Sequence, residues 1–523
     1  MAQPVKDHKI LIPTEQARHK LLKGIQDIYE AVATTYGPRG LNVQIEKSYG
    51  KFVLTRDGVS VAREVYTKHR AENMAMQLML EASNTSNRLA GDGTTATIVL
   101  TYWLIREALK LVAAGANPMD LRDQLNNDAT ILLKELEAYT KPVTDGQLKQ
   151  VATVSCGDPL LGTMIAEAVE HVGLDGGIIA EKAFIDGVER EYQEGYYLQE
   201  GFNGLAEGKR ELINPIIVVT GKRIASNADF VELMDKIARL ARVDMKAGER
   251  LNVAIIGEFE GDARNSFITN INQGNLNGVL VKSPSTGDMA IQYLEDIAIY
   301  CGAKMLTAGE SIKNMDARYL GKAERVICTP YTTSIFGGIG ATEDVEARVA
   351  DIKERIEAEE SDNLQEKFRD RIAKLQGKIA VFRIGGITET AKEELEYRIE
   401  DALQATKAAL DKGVVPGGAS TLLRLSESAG LSTITKSALR GVFTRLMQNA
   451  NLPAEVKLDQ VLNTKAPMGI NLRGDTEKLV DLIKAGVLDP ALVLQEVIKN
   501  ATSTAGNAVT IGLMITFEDL KED

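Results

Sequence analysis

Long helical patterns occupy both ends of this chain, and a β-rich stretch lies between them. Residues 72–138 read as helices. Residues 188–340 carry β-type runs such as PIIVVTG, LNVAIIG and GVLVKSP between helical patterns, and from Lys392 onward the helical texture returns. A helix–α/β–helix order predicts an inserted domain, with the two chain ends packed into one helical body. At 523 residues the chain is too long for a single core, so several domains are expected. Between 342 and 377, Val345, Val349, Ile352 and Ile356 recur at helical spacing, as do Leu364, Phe368, Ile372 and Leu375. This predicts an antiparallel helical hairpin whose charges form a solvated surface. The expected fold class is α+β, multidomain.

Several function classes are disfavoured. A formal net charge of −12 argues against a nucleic-acid binder. No run of about 18 uncharged apolar residues occurs, so no membrane span is expected, and the start MAQPVKDHKILIPTEQ has no apolar signal core. Cys156, Cys301 and Cys328 are far apart and in no C-x-x-C pair, which reads as reduced thiols in a cytoplasmic compartment. The four histidines form no zinc pattern, and no G-x-x-x-x-G-K-[ST] is present.

The chemistry-bearing stretches pair acids with glycines. GDGTTATIVL (91–100) matches G-x-G-x-x-A, but a helical pattern precedes it where a dinucleotide fingerprint needs a strand. Asp92 would also repel a naked pyrophosphate. A glycine turn feeding a helix N-terminus, with an acid able to hold a cation, suits a metal–nucleotide complex better. TTYGPRG (34–40), TRDGVSVARE (55–64), GVVPGGAST (413–421) and GVLDP (486–490) are further turns of this kind, each ordinary when taken alone.

Taken together, TTYGPRGLNV, TRDGVSVARE, ENMAMQLMLEAS, AGDGTTATIVL, VAAGANPMDLR, RIEDALQATKAAL, GVVPGG and LDPALV occur in the order, and near the spacing, of group I chaperonins of the GroEL type. The resemblance runs from about Lys23 to Thr516 and is thin between 196 and 340. It implies a helical equatorial ATPase domain from residues 1–138 and 412–523. It also implies an intermediate hinge domain from 139–194 and 386–411, and an inserted α/β apical domain from 195–385, with hinges at Gly195, Gly385 and Gly386.

The resemblance further implies an ATP site of Thr35, Tyr36, Gly37, Pro38, Arg56, Asp92, Gly93, Thr94, Thr95, Ala96, Gly418, Asn471 and Asp489. Asp92 would ligate Mg2+, and a K+ site on the Arg56 carbonyl is a further expectation. Asp401, assisted by Asp57, would orient or deprotonate the attacking water. Phe202, Leu233, Phe267 and Ile268 would line a groove for non-native polypeptides. A ring of seven subunits, ATP-driven folding in its chamber and a co-chaperonin lid complete the implied picture.

The chain departs from the pattern at several places. Ala96 replaces a third threonine, Ala419 a third glycine, and Arg56 a lysine. Ala206, Glu207, Arg264 and Thr269 stand at groove positions that are usually aromatic or apolar. Asn451 and Leu452 replace acids at the ring–ring contact, two residues are inserted between Asn471 and Asp489, and a Gly/Met-rich tail is missing from MITFEDLKED. These features describe a divergent copy, viral or a paralogue, with populated single rings expected; a viral copy would work in the host cytoplasm. Two other readings stay open: a ring-shaped scaffold for one dedicated partner with a weak ATPase, and a small-molecule kinase, for which no acceptor site is recognisable.

Overall fold

The computed structural model describes residues 9–47, 51–144, 146–173, 176–183, 185, 187–204, 208–241, 251–359, 361–386 and 388–517. Ala206, Glu207 and the last six residues lie outside them. Strand β1 (Lys9–Pro13) leads into α1 (Thr14–Ala33), and β2 (Val43–Lys47) and β3 (Lys51–Thr55) form a hairpin. Helices α2 (Gly58–Glu64), α3 (Arg70–Ala90), α4 (Thr94–Ala113), α5 (Pro118–Tyr139), α6 (Gln147–Cys156) and α7 (Pro159–Val172) follow.

The middle of the chain supplies β4 (Ile178–Lys182), β5 (Val188–Leu198), β6 (Arg210–Ile213), β7 (Ile216–Ile224), α8 (Asn227–Ala241), β8 (Asn252–Phe259), α9 (Gly261–Asn272), β9 (Asn277–Val281) and α10 (Gly287–Tyr300). It continues with β10 (Gly321–Cys328), β11 (Thr333–Gly338), α11 (Thr342–Ala358), α12 (Asp362–Leu375) and β12 (Lys378–Ile384). The remainder is α13 (Glu389–Lys412), β13 (Val414–Pro416), α14 (Ser420–Leu425), α15 (Thr433–Asn449), α16 (Ala454–Leu462), the hairpin of β14 (Met468–Ile470) and β15 (Leu479–Asp481), β16 (Leu488–Pro490), α17 (Ala491–Val509) and β17 (Leu513–Phe517).

The fold is α+β and multidomain. Two compact units form, one from Met1–Glu167, Phe184–Gly187 and Ile384–Asp523, the other from Ala168–Ala183 and Val188–Arg383. The first joins both chain ends: β1 pairs antiparallel with β17, Lys9 opposite Phe517. Its core is built on α4, which buries Ile98, Val99, Leu100, Leu104, Ile105 and Ala108. Helix α17 packs beside α4 and α5 and buries Ala501, Ala505 and Ala508, small residues that let helices approach closely. The glycine, asparagine and proline of VAAGANPMDLR punctuate the helices here. Helix α4 ends just before Gly115, and α5 restarts at Asn117, whose side chain accepts from Met119 N at 3.0 Å while Pro118 takes the first helical position.

Among the described residues, the second unit holds a nine-stranded sheet in the order β4-β12-β5-β11-β10-β7-β8-β9, with β6 also paired to β10. Strands β7, β8 and β9 are parallel, and α8 and α9 are their crossovers. Val218, Val219, Ile255, Ile256, Val279 and Leu280 are fully buried, as strands covered on both faces require. The expected hairpin is α11–α12, with Val349, Ile352, Phe368 and Leu375 inside. Its charges are not all solvated. Arg371 is fully buried and meets Asp296 of α10 at 2.6 Å (Nε–Oδ2) and 2.9 Å (Nη2–Oδ1), and Arg348 Nε meets the same carboxylate at 2.7 Å. Arg371 is three residues beyond Phe368 and four before Leu375, so it shares their inward stripe.

Two of the three expected hinge glycines, Gly195 and Gly385, are closely packed. A Cβ on Gly195 would lie 2.5 Å from Ile379 Cδ1, and one on Gly385 would lie 1.9 Å from the Ile185 carbonyl oxygen. At Gly385 the lack of a side chain is thus a packing requirement, and its N–H donates to Gly187 O at 2.7 Å. Gly386 has only Lys392 Cγ at 3.1 Å and ordinary contacts beyond.

Candidate functional site

The candidate site lies wholly within the first unit. Helix α3 stops at Gly91 (φ +69), whose N–H donates to Asn87 O at 2.7 Å, and Gly93 (φ +88) caps the start of α4. Between them Asp92 turns back and accepts from Gly93 N at 2.5 Å. The first-turn amides of Thr94, Thr95 and Ala96 have no intrahelical acceptor, which leaves donors for an anion at this N-terminus. Thr95 packs on the neighbouring turn: its Oγ1 is 2.1 Å from the place a Cβ on Gly58 would take. In that turn Asp57 caps α2, accepting from Val59 N at 3.2 Å and Ser60 N at 2.7 Å. Both of its oxygens are therefore occupied by backbone.

The turn at 34–40 is fixed by α15 and by Arg56. Asn449 Nδ2 donates to Ala33 O (2.7 Å) and Tyr36 O (2.9 Å), Thr35 Oγ1 donates to Val32 O (2.9 Å), and Arg56 Nη2 donates to Gly37 O (3.0 Å). Gly37 and Pro38 form the tip, with Gly37 left-handed (φ +83). Burial raises the Tyr36 phenol far above its ordinary range, and the charges of Asp489 and Asp92 add to the shift.

Asp489 lies in the β13–β16 pair opposite Val415, and its Oδ1 is 2.7 Å from a Cβ placed on Gly417. Gly418 (φ +64) and Ala419 (φ +56) are both left-handed, so alanine keeps the backbone shape expected of glycine there. Asn471 opens the β14–β15 connection, and its Oδ1 accepts from Arg473 N at 3.0 Å.

Asp401 stands on α13, one turn before the Gln404 that rests on Gly91. Enclosure by protein raises its carboxyl well above the usual range, followed by repulsion from Asp92, Asp57 and Glu400. Burial, then the charge of Asp57, raises Asp92 as well, against the lowering hydrogen bond from Gly93. Asp489 is pushed up to about 7 by burial and then by Asp92. Three carboxylates without a basic partner among their principal influences make a cleft that a cation would relieve. Among the described residues no three His, Cys, Asp or Glu side chains are placed to cage a metal unaided. That donor set fits Mg2+ shared with phosphate oxygens, which needs only one or two carboxylates.

Two residues here were not anticipated. Gln404, one turn beyond Asp401, rests on Gly91, and Arg473 reaches α6. The spacing of Gln404 from Asp401 was a usable signal, since residues three apart share a helix face.

The groove residues are placed differently from expectation. Phe202, Leu233 and Phe267 are buried in the core of the second unit, and only Ile268 is partly exposed. On α8 the inward stripe is Phe230, Leu233, Ile237 and Ala241, so the accessible apolar residues are Val231 and, in part, Met234 and Leu240. Phe267 is held inward by an edge-on contact with Phe230, ring centroids 6.3 Å apart. Arg264 Nε donates to Asn203 O at 3.3 Å, and Thr269 is exposed.

No helix among the described residues is long and apolar enough to cross a membrane. The chain is similar to the chaperonin gp146 from the bacteriophage EL 2 (Pseudomonas aeruginosa), whose structure in the presence of ATP-BeFx is known in two crystal forms. In form II the TM-score is 0.70 at 22% identity, covering 97% of this chain and 99% of that one. In form I the TM-score is 0.60 at 22% identity, with 98% and 99% covered. The profile of the TCP-1/cpn60 chaperonin family matches residues 28–257 and 287–517. With both halves of the sequence matched and the fold shared end to end, this chain belongs to the TCP-1/cpn60 chaperonin family.

Proposed function

We propose that the protein is an ATP-driven chaperonin that binds non-native polypeptides and promotes their folding in a ring chamber. The observation that carries this reading is the seating of α13, through Gln404, on the Gly91 turn that leads into Asp92, with Asp401 one turn before Gln404 and within the electrostatic reach of Asp92 and Asp57. A carboxylate whose proton affinity is raised accepts a proton from water more readily, so Asp401 is suited to orient and deprotonate the attacking water. Asp57 contributes charge from a fixed position, since its oxygens cap α2. Amides of the Gly93–Ala96 turn would bind phosphate, and Asp489, Gly418 and Asn471 the nucleoside. Asp92 would hold Mg2+, which neutralises phosphate charge when bound.

In this reading α6 and α13 belong to an intermediate domain that closes over bound nucleotide, so hydrolysis times domain movement. Self-assembly is supported by two small sheets with exposed apolar side chains: Leu11, Leu513 and Ile515 on β1–β17, and Phe52 and Leu54 on β2–β3. Isolated two-stranded pairs are marginal in water, and a neighbouring subunit would cover them. The test is steady-state Mg–ATP hydrolysis by wild type and Asp401→Ala, with nucleotide binding in parallel. Turnover should fall about a hundredfold while binding persists.

A dedicated-partner scaffold is favoured by one observation, the burial of Phe202, Leu233 and Phe267. Refolding of several unrelated denatured proteins supports the folding chamber. Failure with all of them, alongside retained ring assembly, supports the scaffold.

A further inference from the structure

The geometry points to Arg473 as a positioning residue for hydrolysis, a latch that holds the helix pair bearing Asp401 onto the nucleotide loops. Its guanidinium donates to two carbonyls in the last turn of α6, Nη1 to Thr153 O at 3.2 Å and Nη2 to Val154 O at 3.1 Å. The next acceptor, Cys156 O, receives Arg398 of α13, with Nε at 2.8 Å and Nη2 closer still. Two arginines thus cap one helix end, where exposed carbonyls and the helix dipole favour cations. They do different jobs. Arg398 ties α6 to α13 within the pair, which also shares an apolar seam of Leu148, Val151, Ala405 and Ala409.

Arg473 comes from elsewhere. It sits in the β14–β15 connection two residues after Asn471, whose Oδ1 accepts its N–H. Leu472 between them is buried, and its carbonyl receives Arg39 Nε at 2.8 Å from the turn that carries Tyr36 and Gly37. Arg39 and Arg473 therefore join three parts in series: the turn at 34–40, the Asn471 loop, and the α6–α13 pair. The series ends at Asp401, on the helix that α6 carries. A loop ordered by nucleotide would present Arg473 to α6, and so favour the position in which Asp401 faces Asp92.

This inference rests on the ATPase reading and deepens it. A plain helix cap would alter stability and leave catalysis alone. The test compares full-length wild type, Arg473→Ala and Arg473→Lys in Mg–ATP turnover, ATP affinity and thermal midpoint. Hydrogen exchange of α13 amides is followed with ADP bound. For Arg473→Ala, kcat should fall about five- to tenfold with affinity unchanged, and the lysine variant should recover part of it, because two charge-assisted bonds become one. Exchange in α13 should quicken in the alanine variant. A lowered thermal midpoint with kcat within about twofold and unchanged α13 exchange overturns the proposal, as does weakened ATP affinity with kcat preserved. If wild type itself does not turn over ATP, the ATPase reading fails, and α13 exchange still decides whether Arg473 is a latch.

Discussion

The Cβ of Gln404 lies 2.1 Å from the point that a Cβ on Gly91 would occupy. Helix α13 thus seats directly on the turn that carries Asp92, and the seat exists because residue 91 has no side chain. Gly91 also has φ +69, a left-handed conformation that costs an L-residue about 1–2 kcal/mol.

Gly91→Ala should therefore obstruct the approach of Asp401 more than it disturbs the nucleotide site. We expect turnover to drop about tenfold or more with ATP affinity within about twofold, since misplacing a reacting group by an ångström has effects of this size. Parallel kinetics and equilibrium binding check it. Equal losses in both would mean that the turn itself has collapsed.

Ala419 holds a left-handed conformation (φ +56) beside Gly418. Ala419→Gly should stabilise the first unit by about 0.5–1 kcal/mol, the relief of strain exceeding the added chain entropy. A higher midpoint in chemical denaturation, with unchanged slope, is the expected result.

Asp489 gives a pH dependence with a definite sign. Its carboxyl is raised to about 7 in the folded protein, against about 3.9 in an unfolded chain. The folded state thus binds the extra proton, so this stabilising contribution is complete below about pH 4 and is lost as pH rises through 7. Asp489→Asn should stabilise the nucleotide-free protein most above pH 7 and leave it little changed near pH 4. Denaturation across pH tests this. Calorimetry in buffers of different ionisation enthalpy should show wild type releasing more protons than Asp489→Asn on binding Mg–ATP near pH 6.5.

In the second unit, Asp296 receives both Arg348 and Arg371, and Arg371 is fully buried. Asp296→Ala strands the Arg371 charge, while Arg348 keeps Glu295 at 2.8 Å, and should cost about 3–5 kcal/mol. Limited proteolysis and denaturation should place the loss in the second unit, with nucleotide affinity of the first unit kept. A double replacement of Asp296 and Arg371 by apolar residues should recover much of it.

Local punctuation was readable; distance was not. The start of α4 at Gly93–Thr94 and the restart at Asn117–Pro118 follow from residues adjacent in sequence, so both ends of that helix could be anticipated. The approach of Asp401 to Asp92 depends on packing between distant parts of the chain, and no periodicity encodes it; only resemblance to a family pointed there. Leu233 was misplaced because one residue on a helix is a rotation of about 100°, enough to exchange a core position for an accessible one such as Met234. Arg371 departs from the expectation of a solvated charged surface because its spacing from Phe368 and Leu375 puts it on the inward stripe. Arg473 gave no signal, being one charge among several in the loop NLRGDTEK.

The pairing of β1 with β17 has a consequence for biosynthesis. A ribosome delivers Lys9–Pro13 long before Leu513–Phe517, so the sheet they share must wait for all the intervening chain to emerge. Residues 188–383 are complete well before that and can fold as an independent nucleus while α1–α6 stand without α15 and α17 against them. Contacts of such long sequence separation form slowly, and the waiting helices keep apolar surface open to aggregation. A protein proposed to shelter unfinished chains is, during its own synthesis, a chain with that same exposure.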